Sequence, residues 1–403
     1  MITPYVTIEG RPEFERNKTG FGYMVMDIAK AVGKIESVEV LATNTRGVSF
    51  EYEGVKFLKR SLLSYMLSIP QCLPLQSLLR IIKNYSMSNG TFFRLFYYWL
   101  MTGCLRKYLE EGQYDVVHIH GCGFALELWT EVFKRCGQKY VITLHGLTSF
   151  SESVGLEPAG KKYERVFLKR VADGEFIVTV ISTGMKRIIE NTYNKEKCHN
   201  IHVVCNSFSL NTSETQKVDI RNIYNIPDES RIILYVGNVC PRKNQGQFIK
   251  AFNLLPQQQK RNIYVLFLGG SYDKQYTIER FSEGTDYEDH MIACGVVDKE
   301  LVSQYYMQSD GVALISLSEG FGLSLIEGLH FGLPCMLFAD MEAYEDIYDE
   351  CAMVGVTDHS DEAVANGIDL LLTKRWDEKK IRDYSKNFEP DTMAQNYLSV
   401  YKI

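Results

Sequence analysis

Ten cysteines are scattered along the 403 residues, but no two form a Cys-x-x-Cys pair and none joins a histidine at zinc-ligand spacing. That absence excludes a zinc finger and makes a disulfide framework a poor reading. The first residues, Met1-Ile2-Thr3-Pro4-Tyr5, lack the basic region and apolar run of an export signal, so unpaired thiols predict a reducing, cytoplasmic compartment. No segment repeats at solenoid periods and no tract is of low complexity. An excess of positive charge is also missing, and the net charge of −6 argues against nucleic-acid binding. The longest uncharged stretch, residues 61–79, is interrupted by Pro70, Gln71, Pro74 and Gln76, which suits no membrane-spanning helix. No Gly-x-Gly-x-x-Gly follows the first apolar run, which argues against a dinucleotide dehydrogenase.

What remains is a soluble α/β composition, 45% hydrophobic and 23% charged, in a chain long enough for two domains. Short apolar, β-branched runs predict strands at residues 5–8, 38–41, 116–119, 140–144, 176–180 and 201–204 in the first half. In the second half they fall at 232–236, 264–268, 291–294, 312–315 and 335–338. Helical patterns separate them, which predicts two doubly wound parallel sheets facing across a cleft. The polar stretch after Asn206 marks the boundary: an N-terminal domain of residues 1–206 and a C-terminal one of 207–386. An amphipathic segment at about 387–403 is expected to pack back on the first domain.

The most informative segment is Ser318-Glu319-Gly320-Phe321-Gly322-Leu323-Ser324-Leu325-Ile326-Glu327-Gly328. It leads from a buried strand through a glycine-bearing turn into a helix that Gly332 and Pro334 stop. Free amides at a helix N-terminus favour an anion, usually phosphate. The carboxylates of Glu319 and Glu327 suit hydroxyl donors such as a sugar and a ribose. One acidic residue near a helix start would need only the helix dipole to explain it, but two flanking a Gly-Phe-Gly turn need more. After the strand at 232–236 come Gly237-Asn238-Val239-Cys240-Pro241-Arg242-Lys243-Asn244, which place two cations where a diphosphate would need them. A solvated Arg-Lys pair is the plainer alternative. The loop Gly295-Val296-Val297-Asp298 suits a flat base or a simple strand-to-helix connection.

With these motifs in order over about residues 230–350, the second half resembles retaining glycosyltransferases of the GT-B fold, family 4 (glycosyltransferases group 1). The resemblance implies that Glu319 holds donor-sugar hydroxyls and Glu327 the nucleotide ribose. Lys243 and the amides of Gly322, Leu323 and Ser324, in the turn with Gly320 and Phe321, would face the diphosphate. Val297 would lie by the base. Many members carry Arg where Asn238 stands, so Arg242 would supply that cation.

In the first half, Thr19-Gly20-Phe21-Gly22 precedes a helical pattern; Gly20 and Gly22 suit a close approach to phosphate, or a flexible loop. The resemblance assigns them to the glycine loop over the donor. His118-Ile119-His120 ends one strand and Leu144-His145 the next. His118 and His120 share a face, but a metal site would need further ligands. His118 reads as a packed residue. By the family pattern His120 acts close to the donor sugar, with His145 nearby.

Residues 55–108 contain Lys56, Lys59, Arg60, Arg80, Lys83, Arg94, Arg106 and Lys107 and no Asp or Glu, interleaved with aromatics. That pattern fits an interfacial surface for anionic membrane or a helical insertion packed on the sheet. The full expectation is a metal-independent retaining glycosyltransferase on the inner face of the plasma membrane. It would use a UDP-, GDP- or ADP-sugar to extend a lipid-linked glycan in surface polysaccharide synthesis. A GT-B nucleotide-sugar 2-epimerase and a non-catalytic nucleotide-sugar-binding subunit are the alternatives.

Overall fold

The computed structural model describes residues 1–4, 6–8, 11, 20–43, 49–58, 68–85, 89–150, 158–208, 218–271 and 273–403. Tyr5, Thr19, Lys59, Arg60 and the polar run 211–216 lie outside the described residues. Two compact units emerge. The first comprises Met1–Ile181, Met185–Val204 and Met393–Ile403; the second comprises Ser182–Gly184 and Cys205–Thr392.

The first unit is built on β1 (Ile2–Thr3), β2 (Glu39–Ala42), β3 (Phe50–Tyr52), β4 (Val55–Phe57), β5 (Val117–His120), β6 (Tyr140–Leu144), β7 (Val178–Val180) and β8 (Ile201–Val203). They form one sheet in the order β3-β4-β2-β1-β5-β6-β7-β8, parallel apart from the β3–β4 hairpin. The second unit holds β9 (Arg231–Val236), β10 (Ile263–Leu268), β11 (Met291–Gly295), β12 (Gly311–Leu314), β13 (Cys335–Phe338) and β14 (Met353–Val356), ordered β11-β10-β9-β12-β13-β14. Its central strands are continuous apolar runs because helices cover both faces: Ile232, Ile233, Leu234, Tyr235, Val265, Leu266, Val312, Ala313 and Leu314 are all fully buried.

Three features differ from the sequence reading. The first strand is Ile2–Thr3, not residues 5–8. Ile2 pairs with Leu41 on one side and Ile119 on the other. Val6, Thr7 and Ile8 are buried without joining the sheet, and the Thr7 amide donates to the Gly22 carbonyl at 3.2 Å. The β3–β4 hairpin was not predicted, because Glu51 and Lys56 break its apolar signal. Its turn uses Glu53 and Gly54 at φ 48° and 77°, the positive values that such a two-residue hairpin loop requires. Strand β14 was also missed.

The acid-free stretch is largely folded into the first unit. Glu39 on β2 accepts from Lys56 Nζ at 2.5 Å and from the hydroxyls of Tyr108 (2.6 Å) and Tyr114. Burial works against that charge, yet these donors hold its carboxyl down at about 2. Among the described residues no helix is long and apolar enough to cross a membrane.

Candidate active site

In the second sheet, the chain runs outward from β9 through β10 to β11, then returns to place β12 on the other side of β9. The β9/β12 junction is the topological switch point, where open α/β sheets bind ligands beyond the strands' carboxyl ends. Both motifs singled out in the sequence follow these two strands.

After β9 the backbone turns at Gly237, φ 146°, and a Cβ there would stand 2.9 Å from Lys243 Cε. The glycine leaves the channel along which the Lys243 stem runs. Pro241 opens a single 3-10 turn, Pro241–Lys243, and Asn244 in the left-handed region ends it. That short turn displays Arg242 and Lys243. Both reach Glu319, which follows β12: Arg242 Nη1 lies 3.0 Å and Lys243 Nζ 2.5 Å from the same carboxylate oxygen. Burial pushes the Glu319 carboxyl toward neutrality, but Lys243 first and Arg242 next outweigh it and keep its pKa below the ordinary range. Without two cations, a carboxylate with only 17% of its side chain exposed would be destabilised.

The turn that carries Glu319 is fixed from three sides. Phe321 is buried and meets Phe388 edge-on, with ring centroids 6.2 Å apart. Gly322, at φ 85°, caps helix Leu323–His330 in a left-handed conformation between Leu325, Met341 and Leu314. Glu342 accepts the Glu319 amide at 2.8 Å and the Ser318 hydroxyl at 3.0 Å. The amides of Leu323 and Ser324 fall in the first helical turn, where no intrahelical acceptor exists. Gly320 lies between Glu319 and Phe321, half-buried.

Glu327 is two turns away from Glu319 along the chain. It is held by Tyr306, whose buried hydroxyl approaches Glu327 Oε2 at 2.8 Å and the Ser324 carbonyl at 3.1 Å. Asn238 is exposed, and its carbonyl accepts from Gln245 at 3.1 Å. Val297 follows β11, two strands from β9, beside Val296, whose side chain is 75% exposed. Glu342 and Tyr306 were not found from the sequence. The loop after β13 had no motif to announce it, and Tyr306 sits in an unremarkable amphipathic helix, Lys299–Met307.

In the first unit, β1 and β5 form the corresponding switch point. His120 ends β5, and its Nδ1 lies 3.1 Å from His145 Nε2. Its other nitrogen, Nε2, is buried with no partner among the described residues. Phe21 packs edge-on against His145 at 4.8 Å. Burial pushes both imidazoles down, His120 well below its ordinary value and His145 to about 4, so they are neutral at physiological pH. His118 is structural: Nδ1 meets the Tyr401 hydroxyl at 2.6 Å and Nε2 meets Thr143 Oγ1 at 2.5 Å. Gly20 and Gly22 are not in a loop but in the first turn of helix Gly20–Gly33. Gly20 is exposed, whereas a Cβ on Gly22 would collide with Thr7 Oγ1. Packing against residues 6–8 therefore accounts for Gly22. Among the described residues, no group of three His, Cys, Asp or Glu side chains is arranged to hold a metal ion.

The basic stretch is less exposed in charge than its composition suggests. Lys56 pairs with Glu39, Arg80 with Glu131, Arg106 with Glu110 and Lys107 with Glu111.

Two sequence profiles match the chain, "Glycosyltransferase Family 4" over residues 23–212 and "Glycosyl transferases group 1" over residues 216–388. The chain belongs to the family 4 glycosyltransferases. An uncharacterised glycosyltransferase of Methanocaldococcus jannaschii is 22% identical over 308 residues, covering 72% of this chain and 76% of that one. The O-antigen chain mannosyltransferase B of Escherichia coli is 21% identical over 273 residues, 66% of this chain and 71% of its own. Among solved structures, Anabaena HepE in complex with UDP and glucose matches with a TM-score of 0.66 at 16% identity, covering 100% of this chain and 99% of HepE. This glycosyltransferase has the GT-B fold.

Proposed function

We propose that this glycosyltransferase moves a sugar, with retention at the anomeric carbon, from a nucleotide-diphosphate sugar to a hydroxyl of a lipid-linked glycan in surface polysaccharide synthesis. The single observation that carries the reading is the Arg242–Glu319–Lys243 cluster at the β9/β12 switch point, beside the start of helix Leu323–His330. As the anomeric bond stretches, the leaving diphosphate gains charge. Lys243, Arg242 and the amides of residues 322–324 are the groups that would stabilise it, with no metal required. Glu319, held ionised, would accept from donor-sugar hydroxyls once the two cations turn to the diphosphate. Glu327, oriented by Tyr306, would take the ribose. The unpartnered Nε2 of His120 is suited to a hydroxyl of the reacting sugar, because a buried polar atom without a partner is costly. UDP is the first nucleotide to test, since HepE is solved with UDP and glucose. The O-antigen mannosyltransferase likeness supports a glycan acceptor.

The enzyme would work as a peripheral protein on the inner face of the plasma membrane. Exposed Ile69, Leu75, Leu79, Phe92, Phe93 and Phe96 support that placement. Lys83 and Arg94 supply the cations, both without a carboxylate partner among the described residues.

A thermal-shift screen with UDP, GDP and ADP, followed by transfer assays on Glu319→Ala, tests the reading. One nucleotide should raise the melting temperature. The variant should stay folded and lose transfer by about 10³-fold or more. Full turnover by Glu319→Ala would sink the assignment.

A further inference from the structure

Tyr235 is fully buried at the centre of the second sheet, where Phe248 meets it edge-on at 5.4 Å and Phe267 lies 5.6 Å away. A phenylalanine would fill that space as well. A buried hydroxyl is costly unless it is bonded, so its partners show what it is for. They lie on the two loops of the candidate site. The hydroxyl donates to the Lys243 carbonyl after β9 and accepts the Ile315 amide, after β12, at 3.1 Å.

The main-chain pairing of β9 with β12 ends at Leu234 and Val312. Tyr235 is the next residue on β9, so its side chain takes over the link where the ladder stops. Further links follow along the chain from Ile315. The Leu317 amide donates to the Arg242 carbonyl at 2.8 Å, and Arg242 Nη1 donates to the Ser318 carbonyl at 2.8 Å. The row ends at Glu319 and its two cations.

We propose that Tyr235 is a positioning residue for the donor site. Its hydroxyl fixes the separation of the Arg242-Lys243 turn from the Ile315-to-Glu319 segment, and so holds the cations at the spacing a diphosphate and its sugar require. This rests on the transferase reading above. Tyr235 touches neither substrate nor reacting atoms; it acts through the main chain of Lys243 and Ile315. The cost of losing it therefore falls on ligands that bridge the two loops.

The test compares wild type with Tyr235→Phe and with Phe267→Leu, a packing variant in the same aromatic cluster that leaves the hydroxyl in place. Calorimetric titration with UDP and UMP (or the GDP or ADP pair, whichever the wild type binds) is set beside steady-state kinetics with the matching sugar donor. Tyr235→Phe should weaken the diphosphate about tenfold and the monophosphate less than twofold, and lower kcat about tenfold. Phe267→Leu should lower the melting temperature but keep diphosphate affinity and kcat within twofold of wild type. Equal loss of mono- and diphosphate, wild-type kinetics in Tyr235→Phe, or the same losses in Phe267→Leu would overturn the inference while leaving the transferase reading intact. A wild-type protein that binds none of the three nucleotides would overturn both.

Discussion

Three imidazoles, His118, His120 and His145, form one cluster in the first unit, the first two buried and His145 half-buried. His118 and His120 have ring centroids 4.1 Å apart, and His120 and His145 are 5.4 Å apart. Burial lowers all three, His145 to about 4 and the other two well below their ordinary range. An unfolded histidine binds its proton near pH 6.5. Below that pH the unfolded chain is protonated while the folded one is not, so stability is complete above about 6.5 and is lost as pH falls toward 4. Each imidazole costs about 1.4 kcal/mol per pH unit through that window. Urea unfolding at pH 7 and pH 5 should show the fall, and His145→Gln should reduce the slope by about one proton. Equal slopes in variant and wild type would refute it. The sequence located these side chains at strand ends, since alternation puts His118 and His120 on one face. It gave no sign that His118 is tied to Tyr401, nearly three hundred residues away. Glu342 and Tyr306 stayed hidden for the same reason: each acts through contacts that no local spacing announces.

Elements with a continuous apolar run, such as β9, β10, β12 and β13, could be read from sequence because burial on both faces leaves little choice of residue. Short or half-polar elements could not, as β1 and the β3–β4 hairpin show. For the basic stretch the limit is of a different kind. Its charges are visible in the sequence, but the carboxylates Glu39 and Glu131 that neutralise two of them lie outside it. Helix Leu75–Tyr85 exposes Leu75 and Leu79, one turn apart, beside Gln76, Arg80, Lys83 and Asn84, while Leu78, Ile81 and Tyr85 face the core. Arg80 is already paired with Glu131, so binding to anionic vesicles should depend on these leucines more than on charge. A Leu75→Glu/Leu79→Glu variant is expected to lose sedimentation with phosphatidylserine-containing vesicles. Lys83→Ala should weaken binding by only about 1 kcal/mol and make it less sensitive to salt. Undiminished sedimentation of the double variant would refute docking through this helix.

On the scale of the molecule, the last helix, Pro390–Tyr401, supplies Met393, Ala394, Tyr397 and Val400 to buried positions and the Tyr401 hydroxyl to His118. Burying each large side chain contributes roughly 1.5–3 kcal/mol, so together they approach the whole stability of an ordinary domain. Deleting residues 393–403 should leave the first unit protease-sensitive and without a cooperative melt, while the second unit still unfolds as one transition. A truncated protein with two intact transitions would contradict this. The second unit has its own outlying piece. Thr183 donates from its amide to Asp346 at 2.7 Å and from its hydroxyl at 2.5 Å, and the Gly184 amide donates to the Glu342 carbonyl at 2.9 Å. Glu342 is also the side chain that anchors Glu319. Exchanging specificity between two relatives by recombination at a single crossover near residue 205 would therefore give a mismatched hybrid. The foreign C-terminal helix would meet the native His118, and the native Thr183-Gly184 would meet a foreign partner for Glu319. A functional chimera needs four coordinated junctions, at 181/182, 184/185, 204/205 and 392/393.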